Sequence, residues 1–233
     1  MRRAACLSLI IVCSLLAATA IAQPGPQKAG SVARDNGSVT RKESELNSLL
    51  KRLEESDDLQ KDREGRVVGL TLHSTNANDQ NLSLVSTLQS LKELTIQGRG
   101  WPASNRWTLE GISSLERMTN LTTLRILCQS LPEMNVQFLP AFSRLTRLST
   151  LCLVAAPQEK QNYAALTNLQ NLVALHVSYD TNFGDAELSM LTNLPKLQSL
   201  DLFWDGVTRN GTNVLLSRMS SLTNAMVQFR KPL

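Results

Sequence analysis

Only two histidines and four cysteines occur in this 233-residue chain, and they show no metal-ligand spacing. No glycine-rich phosphate loop, nucleophile elbow or H-E-x-x-H helix is present, which removes the usual sequence grounds for phosphoryl transfer, acyl transfer or zinc hydrolysis. Charge of one sign is also scarce: 24 Lys and Arg oppose 20 Asp and Glu, a formal net charge of +4. So small and evenly spread an excess argues against nucleic acid or an anionic membrane as partner. The apolar run from Leu7 to Ala18 falls short of the ~20 residues that a spanning helix needs. Aromatic residues make up 4% of the chain, so any cluster of them stands out.

What is present starts with an export pattern. Arg2-Arg3 precede the apolar run, and Ala20-Ile21-Ala22 stands ahead of Gln23 in the A-x-A form of a cleaved secretory signal. Residues 1–22 are therefore expected to be a signal peptide cut after Ala22, and the protein to be secreted, periplasmic or in the cell envelope. Retention as an anchor is the competing reading; after cleavage no stable membrane insertion is expected. Residues 23–40, rich in Pro, Gly, Ser and Ala, predict a disordered linker. Thr40 to Glu43 reads as a capping box, and Leu46, Leu49, Leu50 and Leu53 form one stripe of an amphipathic helix. The stretch 41–65 is thus expected to be a capping helix and turn, ending at Gly65. A docking helix for a partner is the alternative, and it requires an exposed stripe.

From Leu188 to Leu202 the leucines fall at 188, 191, 194, 197, 200 and 202, so their spacing changes from three to two. Steps of three keep one stripe of a helix or helical turn buried, and the step of two puts Leu200 and Leu202 on one face of a strand. The same strand pair recurs as Leu70/Leu72, Leu94/Ile96, Leu124/Ile126, Leu151/Leu153, Leu175/Val177 and, degenerately, Ala225/Val227. Successive first members are 24, 30, 27, 24, 25 and 25 residues apart. A near-constant period of this size with L-x-x-L-x-L inside it resembles the leucine-rich repeat. The lead-in at Gly65 to Leu70, with Asp205-Gly206-Val207-Thr208 and Phe183-Gly184-Asp185-Ala186-Glu187-Leu188, is similar to short exported leucine-rich-repeat proteins of Planctomycetes-type bacteria. The resemblance implies an α/β solenoid over residues 66–233. It would have a curved parallel sheet of about seven strands, helices or turns on the outer side, and the N-terminal cap helix closing one end.

Within such a sheet the residue between the two leucines and the one after the second point outward. The face then carries His73, Gln97, Arg125, His176, Ser178, Asp201 and Phe203, with Tyr179 and Trp204 just beyond the strands. Its middle is apolar, at Leu127, Cys152 and Val154. His73 and His176 are four strands apart, about 19 Å at ~4.8 Å per strand, which excludes a shared metal. The step of 30 comes from residues 97–108, which add Trp101 and Trp107; they are either a contact surface or a lid over the solenoid edge. The step of 27 reads as a bare connection. Thr119-Asn120, Thr167-Asn168 and Thr192-Asn193 recur before the strands, and Asn is expected to end each helix in a left-handed conformation. Once the signal is removed only Cys128 and Cys152 remain, and they lie about 11 Å apart by strand geometry. That exceeds the ~7 Å reach of a disulfide.

These readings combine into a non-enzymatic exported module without cofactor. It recognises an unknown protein or peptide through the outward face and the Trp101/Trp107 loop. A structural envelope protein that self-associates through its uncapped C-terminal repeat is the alternative. The best catalytic constellation in the sequence is Cys152 beside His176 on the next strand, ~5 Å away, with no orienting acid identified.

Overall fold

Each inward pair of the sequence lies on a strand. The structure, a computed structural model, describes residues 36–98, 108–128, 139–155, 161–178, 180, 182–203 and 206–228. The strands are β1 (Leu59–Lys61), β2 (Val67–His73), β3 (Glu93–Gly98), β4 (Thr123–Cys128), β5 (Thr150–Ala155), β6 (Ala174–Ser178), β7 (Ser199–Phe203) and β8 (Asn224–Gln228). They form one open sheet in chain order, and β2 to β8 pair in parallel. Leu70, Leu94, Leu124, Leu151, Leu175, Leu200 and Ala225 stand opposite one another in a single row. The second row runs from Leu72 through Ile96, Ile126, Leu153 and Val177 to Leu202 and Val227. In β2 to β7 no member of either row is more than 4% exposed. Gly37–Leu233 forms one compact unit.

Short helices return the chain on the side of the sheet toward which the leucine pairs point: α2 (Asp79–Val85), α3 (Leu109–Ser114), α4 (Leu139–Phe142), α5 (Asp185–Met190) and α6 (Arg209–Arg218). Single 3₁₀ segments at Leu115–Arg117, Tyr163–Asn168 and Leu191–Asn193 extend or replace them. Leu82, Ile112, Leu115, Phe142, Leu166, Leu188 and Leu191 from these turns join the strand leucines in one apolar core.

The N-terminal end departs from expectation. A helix α1 spans Asn36–Glu55, so residues 36–40 are helical rather than linker, and Thr40 lies inside the helix instead of capping it. No proline lies in that added turn to stop it, and the Arg41–Glu45 pair at 2.9 Å supports the following one. The helix also ends sooner. Asp57 adopts φ 59°, and the Asp58 N–H returns to the Leu53 carbonyl at 2.8 Å, a left-handed close to the last turn. Leu59–Lys61 is then free to form an eighth, antiparallel strand beside β2. Leu49 and Leu53 are fully buried in the solenoid core, so the stripe is not exposed as a docking helix requires. The turn expected at Gly65 is present, with φ +77°.

The asparagines do not end helices as expected. Among the described residues Asp57 alone of the non-glycines has positive φ, and the returns close through 3₁₀ turns instead. Asn120 acts across repeats: its Nδ2 donates to the Gln89 carbonyl at 2.8 Å, and its Oδ1 accepts from Arg147 Nη1 at 2.8 Å. Asn171, at the equivalent place before its strand, donates to the Thr146 carbonyl and accepts from Lys196 Nζ at 2.6 Å. Asn168 and Asn193 stand at a different place in the repeat, so the Thr-Asn recurrence mixed two positions.

A second lock joins helices. The Asp79 carboxylate accepts from the Thr108 N–H at 2.7 Å and from its hydroxyl at 2.6 Å, while the Thr108 Oγ1 caps α3 at the Glu110 N–H. Asp185 repeats this on Thr208, at 2.8 and 2.6 Å, and Thr208 caps α6 at the Gly211 N–H. Each carboxylate occupies the space where a Cβ on Gly111 or Gly211 would stand. Alanine usually favours a helix over glycine by about 1 kcal/mol. Here it would expel Asp185 from its two hydrogen bonds with Thr208, which at this half-exposed site together contribute about 2–3 kcal/mol. Gly211→Ala should therefore lower the unfolding free energy by about 1–2 kcal/mol, and should be neutral or stabilising in an Asp185→Ala background. Denaturant titration of the four proteins of the cycle checks this; a stabilising Gly211→Ala in the native sequence would refute the lock.

Candidate functional site

Because the inward rows are consumed by packing, the sheet offers another molecule the outward side chains of β2 to β8. The register sets them in two files. Thr71, Thr95, Arg125, Cys152, His176 and Asp201 follow one another across β2 to β7, and beside them run His73, Gln97, Leu127, Val154, Ser178 and Phe203. All are half-buried except Gln97, which is exposed, and Ser178, which is 3% exposed.

Three clusters form along these files. His73 Nε2 lies 2.9 Å from Asp58 Oδ1, where the chain leaves α1, so this imidazole is tied to the N-terminal edge. At the centre Arg125 Nη1 is 3.7 Å from Glu93 Oε2, leaving a guanidinium at 41% side-chain exposure beside the apolar Leu127 and Val154. Toward β7, His176 Nε2 is 2.8 Å from Ser178 Oγ and its Nδ1 is 3.8 Å from Asp201 Oδ2. Phe203 covers this imidazole, the ring centroids 5.4 Å apart and the planes tilted by 35°.

Ser178, His176 and Asp201 follow the connectivity of a hydrolytic relay, and Asp201 is the acid that the sequence reading did not connect to His176. The geometry does not complete the relay. At 3.8 Å the aspartate makes no hydrogen bond to orient the imidazole, and the buried Ser178 hydroxyl offers no approach for an acyl group. Cys152 stands opposite His176 as the register argument required, but the imidazole is engaged with Ser178. Burial pushes the Cys152 thiol up to about 11, with Arg125 pulling it down and Asp201 pushing it further up. A thiol so held is protonated at neutral pH and is a poor nucleophile. Cys152 is free of any disulfide; the register sets it against Arg125, and Cys128 against Ala155. Among the described residues no group of three metal-ligating side chains comes together.

Of the residues singled out by sequence, His73, Gln97, Arg125, His176, Asp201 and Phe203 lie on the outward face. Ser178 points the same way but is covered, so it is a support for His176 and not an open contact. Trp101, Trp107, Tyr179 and Trp204 lie outside the described residues. Sequence reading missed Asp58 and Glu93, the partners of His73 and Arg125. Glu93 carries a legible signal, since it stands two residues before Thr95 and so reaches the same outward side; Asp58 does not, because it lies in a turn that the leucine period leaves undefined.

An open parallel sheet with leucine rows in strict register, short helical returns and a period near 25 residues is the architecture of a leucine-rich-repeat solenoid, and the fold of this chain is of that kind. No protein-family model matches it, and no curated protein matches it in sequence. Among solved structures it is similar to an internalin from Listeria monocytogenes, at 17% identity and a TM-score of 0.34, covering 71% of this chain and 62% of that one. It is also similar to a protein from Bacteroides fragilis, at 13% identity and a TM-score of 0.33, covering 75% and 70% of the two chains. At these values neither likeness adds to an assignment that rests on the chain's own strands.

The thiol gives a direct test of the described face. At pH 7.5 alkylation of the Cys152 peptide should be roughly 100-fold slower in the folded protein than in urea, where an ordinary thiol pKa of about 9 returns. Asp201→Asn should speed the folded-state reaction and Arg125→Gln should slow it, because the two groups act in opposite directions. Equal rates in folded and unfolded protein would contradict the burial. Since folding raises this pKa, its contribution to stability is present below about pH 9 and is lost as pH rises toward 11.

Proposed function

We propose that the protein is a non-enzymatic recognition module that binds a protein or peptide across its outward sheet face. The observation that carries this reading is the strip from Arg125 through Cys152 and His176 to Asp201, flanked by Leu127, Val154 and Phe203. It is contiguous across four strands, half-exposed, and outside the apolar core. Arg125 and Asp201 stand three strands apart, about 14 Å at ~4.8 Å per strand, with apolar surface and a ring between them. Such a surface suits an extended partner with an acidic group over Arg125, a basic group over Asp201 and an apolar residue between. It lacks the run of cations that a phosphate backbone needs, and no cofactor is required. The Trp101/Trp107 loop, with Tyr179 and Trp204, is proposed to extend this contact.

Export belongs to the same proposal: residues 1–22 direct secretion to the periplasm, cell envelope or medium and are removed after Ala22, and residues 23–35 act as a spacer. Among the described residues no helix is long and apolar enough to cross a membrane. N-terminal sequencing of protein recovered from the exported fraction should begin at Gln23; a mature chain starting at Met1 would refute cleavage.

Partner capture tests recognition. Wild type should retain a protein from the exported fraction that Arg125→Ala/Phe203→Ala loses, with retention falling at least about tenfold while the melting temperature stays within a few degrees. Equal retention by the two proteins would remove the face from the proposal.

A further inference from the structure

At the last strand the inward rows meet no further neighbour among the described residues. β8 ends the sheet order, and Ala225, exposed, replaces the leucine buried at this position in six earlier strands. Met226 is 50% exposed, and Val214 and Leu216 of α6 are 39% and 44% exposed; these are three of the four large hydrophobic residues described as exposed. The Asn224 N–H donates to the Gln198 carbonyl of the preceding repeat at 2.9 Å. By the alternation of a strand, Asn224, Met226 and Gln228 turn their peptide groups to β7, whereas Ala225 and Val227 turn theirs to the open edge. The strand has no lysine, proline or bulge, the devices that normally guard such an edge.

The opposite end is guarded. β1 is three residues long and bulged between Gln60 and Lys61, and Lys61 is paired with Glu54 at 2.6 Å. Behind it α1 closes the core with Leu49 and Leu53. A head-to-tail stack needs two complementary ends, and among the described residues only one is open; a two-fold contact uses a single surface twice.

We propose that two copies of this chain join β8 to β8 in antiparallel pairing, about a two-fold axis at Met226, to make one continuous sheet. In this register Ala225 and Val227 of the two copies form the hydrogen-bonded pairs, since both present their peptide groups to the edge. Met226 meets its own copy as a non-hydrogen-bonded pair. The small Ala225 faces the larger Val227, and the Asn224 amide faces that of Gln228, so all five positions of a neutral strand are self-complementary.

Light scattering of the full chain between about 1 and 100 µM should show a monomer–dimer equilibrium. Met226→Lys should weaken it at least about tenfold by opposing two ammonium groups across the axis, without disturbing the ladder to β7. In a chain whose four cysteines are replaced by serine, Met226→Cys should cross-link to its copy on mild oxidation, because facing Cα atoms in such a pair lie ~4.5 Å apart. Asn224→Cys in the same chain should not, its copies being about 14 Å apart. A monomer at every concentration, assembly that continues past the dimer, or a dimer indifferent to Met226→Lys and silent with Met226→Cys would each overturn the proposal.

Discussion

No strand here can bury its leucine pair alone: each pair is covered by the pairs one repeat before and after it. This lateral dependence makes Leu94 face Leu124 across a step of 30 residues as well as Leu175 faces Leu200 across a step of 25. The core sets the register whatever the length of chain between successive strands. Stability in such an array is a sum of repeat and interface contributions, so its ends matter more than those of a closed domain.

The two ends are treated differently. At the first, α1 and the short β1 take the place of a missing repeat and contribute leucines to the common core. At the last, β8 carries alanine in the leucine row, and among the described residues nothing covers its edge. Between them the polar locks run in one direction: Asp79 and Asp185 hold the helix cap of the following repeat, while Asn120 and Asn171 reach back to the repeat before and receive a cation from the one after. These contacts fix neighbours to each other and leave the outward face out of the structural work.

That freedom is what the proposed recognition role draws on, and the side chains on this face do not complete a catalytic arrangement among the described residues. A flat strip of half-exposed side chains can match a partner over several strands, but it encloses no substrate. Where the strip comes nearest to catalytic chemistry, at Ser178, His176 and Asp201, burial of the hydroxyl and the 3.8 Å gap to the carboxylate turn a relay into a support for one imidazole stacked by Phe203. Cys152 follows the same logic, with burial suppressing the thiolate that reactivity needs.

The sequence alone determined the parallel strands, their register and the outward assignment of Arg125, His176, Asp201 and Phe203, because a period-two leucine pair repeated at near-constant spacing has one way to hide its apolar side. It did not determine where α1 begins and ends, that Leu59–Lys61 is a strand, or how Asn120 and Asn171 act, since these depend on chain reversal at Asp57 and on partners 25 to 31 residues away. Nor could it show that Ser178 is covered, or that Asp58 lies beside His73. Periodicity records which side of an element faces the core, whereas burial and pairing on the other side are settled only when separate repeats are brought side by side.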